Sequence, residues 1–197
     1  MEILSIGNSF SQDAQRFLHS IAAADGTDLN CANLYVGGCS LEQLTAYLRQ
    51  VQPQAALYLH ETWAYEPDST HPAFVRYGSD TAQMYRQLRD AYAAAAQRLA
   101  LPLIPVGDGI QTLRQALPVF DRSRGGRCIT RDGFHLSWVY GRYAAGLIWY
   151  QTLTGRDVGT LSYTPADPQA PDEADPAVLQ AICRTVAQMA DTPAAEG

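Results

Sequence analysis

The stretch Glu2-Ile3-Leu4-Ser5-Ile6-Gly7-Asn8-Ser9-Phe10-Ser11 decides how the chain folds. Its first five residues are a short apolar run closed by Gly7, the pattern of a buried strand. The pairs Phe17-Leu18 and Ile21-Ala22 then recur at helical spacing, so a helix is expected over 11–24 with Ser11 as its N-cap. A strand followed at once by a helix is the first half of a parallel crossover unit.

The same alternation continues downstream. Asn30 to Val36 reads as a second strand, stopped by Gly37-Gly38. Ser40, followed three residues later by Gln43, is a capping-box signature for a helix running to Val51, and Pro53 ends it. Ala55 to His60 reads as a third strand, and Glu61 to Tyr77 as a long loop, a length usually reserved for function. A helix is expected from Ser79 or Asp80 to Leu99, with Met84, Leu88, Tyr92, Ala95 and Leu99 on one stripe. A fourth strand follows over 101–106, then helices over 110–117, 138–153 and 177–190, with residues 191–197 as a frayed tail. The Trp138, Tyr143, Trp149 and Tyr150 series reads as helical core. Strands alternating with helices predict one α/β domain over 1–190, whose ligands bind beyond the carboxyl ends of the strands.

Composition removes several classes of function. A net charge of −6 in 197 residues gives no basic face for nucleic acid. No apolar stretch reaches 18 residues, and the N-terminus lacks the charged and apolar regions of a signal peptide, so a cytoplasmic, non-membrane protein is expected. The four cysteines, Cys31, Cys39, Cys128 and Cys183, have no metal-ligand spacing and read as free, mostly buried thiols.

Ser9 sits just past the first strand, where a helix start presents a hydroxyl together with backbone N–H groups suited to an oxyanion. Ser9 or Ser11 equally suits a plain helix cap. Asp132 stands three residues before His135 in a loop ahead of an apolar helix, a spacing that lets the carboxylate orient the imidazole while its other nitrogen faces the crevice. Each signal alone is weak. Together, in this order, they describe a serine nucleophile with an oriented base.

The block Ile6-Gly7-Asn8-Ser9-Phe10-Ser11 resembles the first block of the SGNH (GDSL-type) hydrolases, and Asp132-Gly133-Phe134-His135 resembles their last. Gly37-Gly38 is similar to their middle glycine block. With Tyr35 to Ser40, His60 to Tyr65, Ile104 to Gly107 and Asp132 to Leu136, the chain resembles the bacterial DUF4886 branch as far as Gly155. The resemblance implies a flavodoxin-like three-layer α/β/α sandwich with a mostly parallel sheet, serine ester hydrolysis, and no metal or organic cofactor. It assigns Ser9 as nucleophile, His135 as base and Asp132 as its orienting acid, with the N–H groups of Ser9 and of Gly38 or Gly37 as oxyanion hole. The implied substrate is a small-molecule or carbohydrate ester, opened by an O-deacetylase or short-acyl esterase, or by acyl transfer on the same residues.

One departure bears on activity. The third SGNH block, whose Asn completes the oxyanion hole, is absent. The DUF4886 pattern also carries an extra helix, strand and Gln-rich segment where this chain has only residues 41–59. The sheet is therefore expected to lack one central strand, and a missing oxyanion donor costs about 10²–10³ in turnover. Asn8, His60, Glu61, Trp63 and Tyr65 are candidate substrate contacts. His60 could replace the missing donor or simply pack; Glu61 could touch substrate or be an exposed loop charge; Trp63 and Tyr65 could wall the pocket or pack under the loop. The alternative from another class is a catalytically impaired binding protein on the same fold. An uncovered sheet edge would leave room for a second chain.

Overall fold

The computed structural model describes residues 1–36, 38, 40–171 and 173–189. In chain order the elements are β1 (Glu2–Gly7), α1 (Ser9–Gln15), α2 (Leu18–Ala24), β2 (Asn30–Tyr35), α3 (Leu41–Val51), β3 (Leu59–His60), α4 (Thr81–Leu99), β4 (Leu103–Ile104), α5 (Val106–Ala116), α6 (Tyr140–Thr154) and α7 (Pro176–Met189). Short 3₁₀ turns occupy Pro72–Tyr77, Pro118–Phe120 and Arg122–Arg124. The expected tail over 191–197 lies outside the described residues, as do Gly37 and Cys39.

Three local expectations change. The first helix is two, α1 and α2, broken at Arg16-Phe17, and it begins at Ser9. Asn8, in extended backbone, is the cap: its side-chain oxygen accepts the N–H of Phe10 at 3.0 Å. Capping is thus supplied by neither serine, which leaves the Ser9 hydroxyl free for other partners. Helix α5 starts at Val106, four residues early, because Gly107 allows close packing on the preceding loop. A Cβ there would lie 2.3 Å from the carbonyl oxygen of Thr62 and 3.0 Å from Cδ of Glu61.

The strands are parallel, as expected, but they form two separate ladders. β1 pairs with β2 in register from Glu2 opposite Asn30 to Gly7 opposite Tyr35, and β3 pairs with β4 over two residues. Among the described residues no backbone ladder joins the pairs. The third and fourth strands are therefore two residues long instead of six. A run such as Ala55 to Tyr58 becomes strand only when a neighbour accepts its N–H groups, and here Ala55, Ala56 and Tyr58 are exposed. The chain is thus a mixed α/β fold with short parallel sheets.

The core is organised around α6, whose residues from Gly141 to Tyr150 are all buried. It packs on α1, α2, α5 and α7, and Tyr143, Trp149 and Tyr150 belong to that core as the sequence pattern indicated. Trp138 precedes the helix and stacks instead on two arginines, 4.2 Å from the guanidinium of Arg131 and 4.4 Å from that of Arg142. Among the described residues no helix is long and apolar enough to cross a membrane. The thiols of Cys31, Cys128 and Cys183 are free. Because the obstruction at Gly107 is a backbone atom, Gly107→Ala is expected to destabilise the fold by about 1–3 kcal/mol despite alanine's better helix propensity, as measured by chemical denaturation.

Candidate functional site

Ser9, Asp132 and His135 come together. Ser9 is the first residue of α1, and its Oγ lies 2.9 Å from Nε2 of His135. Nδ1 of His135 lies 2.6 Å from one carboxylate oxygen of Asp132. The other oxygen of Asp132 accepts the backbone N–H groups of His135 at 2.7 Å and Phe134 at 3.2 Å. Burial would raise the Asp132 carboxyl, but the hydrogen bonds from His135 and Phe134 outweigh it and hold the group below the usual carboxylate range.

The Asp132–His135 loop is a tight turn closed by an antiparallel bridge between Thr130 and Leu136. The N–H of Arg131 donates to the His135 carbonyl at 2.9 Å. Gly133 takes the turn at φ +89°, a conformation that L side chains rarely adopt, with Ser69 3.0 Å from where a Cβ would stand. The rings of Phe134 and Phe10 flank His135, at centroid separations of 4.2 and 5.8 Å.

Two buried acidic residues that sequence reasoning missed fix this loop. Asp13, one helical turn beyond Ser9 and 1% exposed, accepts the N–H of Leu136 at 3.0 Å. It also pairs with Arg131 at 3.0 Å and with Arg142 at 2.8 Å. Arg142 and Arg16 then share Asp167, at 3.0 and 2.9 Å, tying the C-terminal connector to α1 and α6. Glu66, fully buried, accepts from Arg114 at 2.9 Å, from the N–H of Ile129 at 3.2 Å and from the Thr130 hydroxyl at 3.3 Å. Its own N–H donates to the Gly133 carbonyl at 2.8 Å. The one sequence signal for Asp13 is its i+4 spacing from Ser9, which puts both on one helix face.

The remaining candidates have other occupations. Asn8 spends its side-chain oxygen on the helix cap. Trp63 is 1% exposed; it stacks on Phe10 at 4.8 Å and donates its indole N–H to the Phe134 carbonyl at 2.7 Å. Tyr65 packs on Phe74 and Phe134. Both aromatics thus support the loop from beneath, the packing alternative of the two readings. Glu61 is neither an exposed charge nor open to a ligand: it is 2% exposed and accepts the N–H of Asp108 at 3.0 Å. Burial, with Asp108 adding to it, pushes its carboxyl up to about 7. His60 packs edge-on against Trp149 at 5.3 Å, and burial pulls it down to about 4, so its ring is neutral and its Nε2 has no partner. Gly38 adopts a left-handed φ of +73° past β2, and Gly37 lies outside the described residues. Among the described residues no three His, Cys, Asp or Glu side chains gather as a metal site.

Comparison with known proteins then defines the family. The sequence profile of DUF4886, a domain of unknown function, matches residues 2–52 and again 43–181, and the chain belongs to this family. It is similar to the crystal structure of a DUF4886 family protein from Bacteroides uniformis ATCC 8492, with 25% identity, a TM-score of 0.83, and coverage of 96% of this chain and 94% of that one. A protein from Slackia heliotrinireducens, provisionally assigned as an SGNH hydrolase, aligns at 18% identity and a TM-score of 0.48, over 78% of this chain and 98% of its own. No curated protein matches.

Asp13→Asn is expected to destabilise the fold by about 3 kcal/mol in chemical denaturation, because two arginines lose their buried counter-charge. Glu61 predicts a pH dependence. Its folded carboxyl titrates near 7 against an ordinary 4.5, so its neutral form favours folding, fully below about pH 4.5. That contribution is lost as the pH rises through 7, by up to about 3 kcal/mol. Denaturation midpoints recorded from pH 4.5 to 8 are expected to fall less in Glu61→Gln than in the wild type.

Proposed function

We propose that this chain is a serine-dependent ester hydrolase of the SGNH type. The observation that carries the reading is the unbroken line from Ser9 Oγ through the His135 ring to the Asp132 carboxylate, at 2.9 and 2.6 Å. Ser9 attacks the acyl carbonyl while Nε2 of His135 takes its proton. Asp132 accepts from Nδ1–H, fixes the tautomer and balances the imidazolium that forms. His135 then protonates the leaving alcohol, and a water activated by the same ring releases the acid and regenerates Ser9. The N–H of Ser9, as first residue of α1, has no partner within the helix; with the N–H of Gly38 it forms the oxyanion hole.

The substrate class is a short-acyl or O-acetyl ester of a carbohydrate or small metabolite, the class that the SGNH resemblance implies; the rings of Phe10 and Phe134 flank His135. One observation favours a second reading, that of a binding protein on the same fold. His60, which could have replaced the absent third-block donor, is instead packed against Trp149 and buried.

Hydrolysis of p-nitrophenyl acetate and butyrate by wild type and Ser9→Ala separates the two. Turnover that falls at least about 10³-fold in the variant, with fluorophosphonate labelling lost, is the expected result. Folded wild type that neither turns over nor takes the label selects the binding protein.

A further inference from the structure

The peptide units on either side of His135 have every polar group tied. The Phe134 carbonyl accepts the indole N–H of Trp63 at 2.7 Å, and the His135 N–H donates to Asp132 at 2.7 Å. The His135 carbonyl accepts the Arg131 N–H at 2.9 Å, and the Leu136 N–H donates to Asp13 at 3.0 Å. Arg131 and Asp132 belong to the turn itself. Only Trp63 and Asp13 tie these two peptides to other parts of the chain, one before His135 and one after it.

Trp63 also reaches the nucleophile. Its ring stacks on Phe10, the residue that follows Ser9, at 4.8 Å. One side chain therefore touches the neighbour of Ser9 with its ring and the neighbour of His135 with its nitrogen. The backbone beside it is anchored in turn. The Glu61 carboxylate accepts the Asp108 N–H at 3.0 Å, and the Ala64 carbonyl accepts from Arg114 at 3.0 Å. Asp108 and Arg114 both lie on α5, so the segment is pinned to one helix on both sides of Trp63. His60 packs against the indole at 6.1 Å, and the side chain is 1% exposed. A ring so enclosed in a close-packed interior has no second rotamer to enter.

We propose that Trp63 is a positioning residue for the ester hydrolysis proposed above, on which this inference rests: it sets the separation of Ser9 and His135 by holding Phe10 and the Phe134 carbonyl on one rigid ring. Without the indole N–H, the Phe134–His135 peptide keeps only its tie to Asp132. It can then tilt and carry the imidazole off the Ser9 hydroxyl. A misplacement of about 1 Å costs on the order of 10²-fold in rate.

A second tryptophan supplies the control. Trp149 is buried too, at 4% exposure, but its indole N–H has no hydrogen-bond partner among the described residues. The same substitution to phenylalanine removes the same atoms from the core at both positions, and only at Trp63 does it also remove a hydrogen bond.

The test is p-nitrophenyl acetate kinetics and the second-order rate of fluorophosphonate labelling, each variant first checked for folding by its melting temperature. In Trp63→Phe, kcat and the labelling rate are expected to fall at least about 10-fold with KM within about twofold. Trp149→Phe is expected within about twofold of wild type in both rates, although it melts lower. Phe10→Leu, on a half-buried ring, removes the stack and keeps the indole bond; a fall of about fivefold in kcat is expected, and this variant decides if Trp63→Phe does not fold. A folded Trp63→Phe as fast as Trp149→Phe overturns the proposal, as does a Trp149→Phe equally slowed or a Phe10→Leu at full rate. If the wild type is active, those results leave the hydrolase reading standing. A folded wild type that neither turns over nor takes the label overturns that reading and this proposal together.

Discussion

The Asp13 carboxylate is the contact on which the site depends. It accepts a backbone N–H from the His135 loop and two guanidinium groups, from residues on either side of that loop. A buried carboxylate with this many donors is compensated, whereas each arginine without it would face desolvation alone. Because Asp13 lies one turn from Ser9, the helix that presents the hydroxyl also sets the height and angle of the imidazole. Glu66 repeats the arrangement from the opposite side, through Ile129, Thr130 and Arg114. The Asp132–His135 loop is thus clamped between two buried acids on separate segments, with Trp63 bracing it from below.

Much of this was legible in the sequence where the signal is local. The extent of the first strand, the capping of α3 by Ser40 and the turn at Asp132–His135 each depend on a few neighbouring residues, and the chain places them as read, although the strand expected to be buried leaves Leu4 59% exposed. Ser9, Asp132 and His135 were identified from spacing and order, and the fold brings them within hydrogen-bonding distance. Reading failed where the outcome rests on distant partners. The cap was read as Ser9 or Ser11, and the extended backbone at Asn8 gives it to that residue instead. Glu61 looked like a loop charge because its burial is created by α5, 45 residues away. The acid clamps were invisible for the same reason, being pairs 48 to 129 positions apart.

The shortened middle of the chain explains the departures in the sheet. A strand's length is set by its neighbour, since peptide groups leave water only when paired. Among the described residues β3 and β4 share two residues of ladder, and β1 pairs with β2 alone. Yet α6 and its glycine-mediated approach to the N-terminal helices keep the two half-sheets on one core. Gly146 admits Ile21, whose Cδ1 would stand 2.9 Å from a Cβ there. The helical layer, more than the sheet, holds the molecule together.

The span of the Asp13 network also sets the order in which its contacts can form during synthesis. Ser9 is made before its partner His135, which follows 126 positions later, and Asp167, which pairs with Arg142 and Arg16, comes later still. Until the loop at His135 has been made, Ser9 lacks the imidazole it meets in the fold. The chain as far as Arg142 already contains Ser9, Asp132, His135 and both ion pairs of Asp13, so the contacts of Asp167 are the last of the network to form.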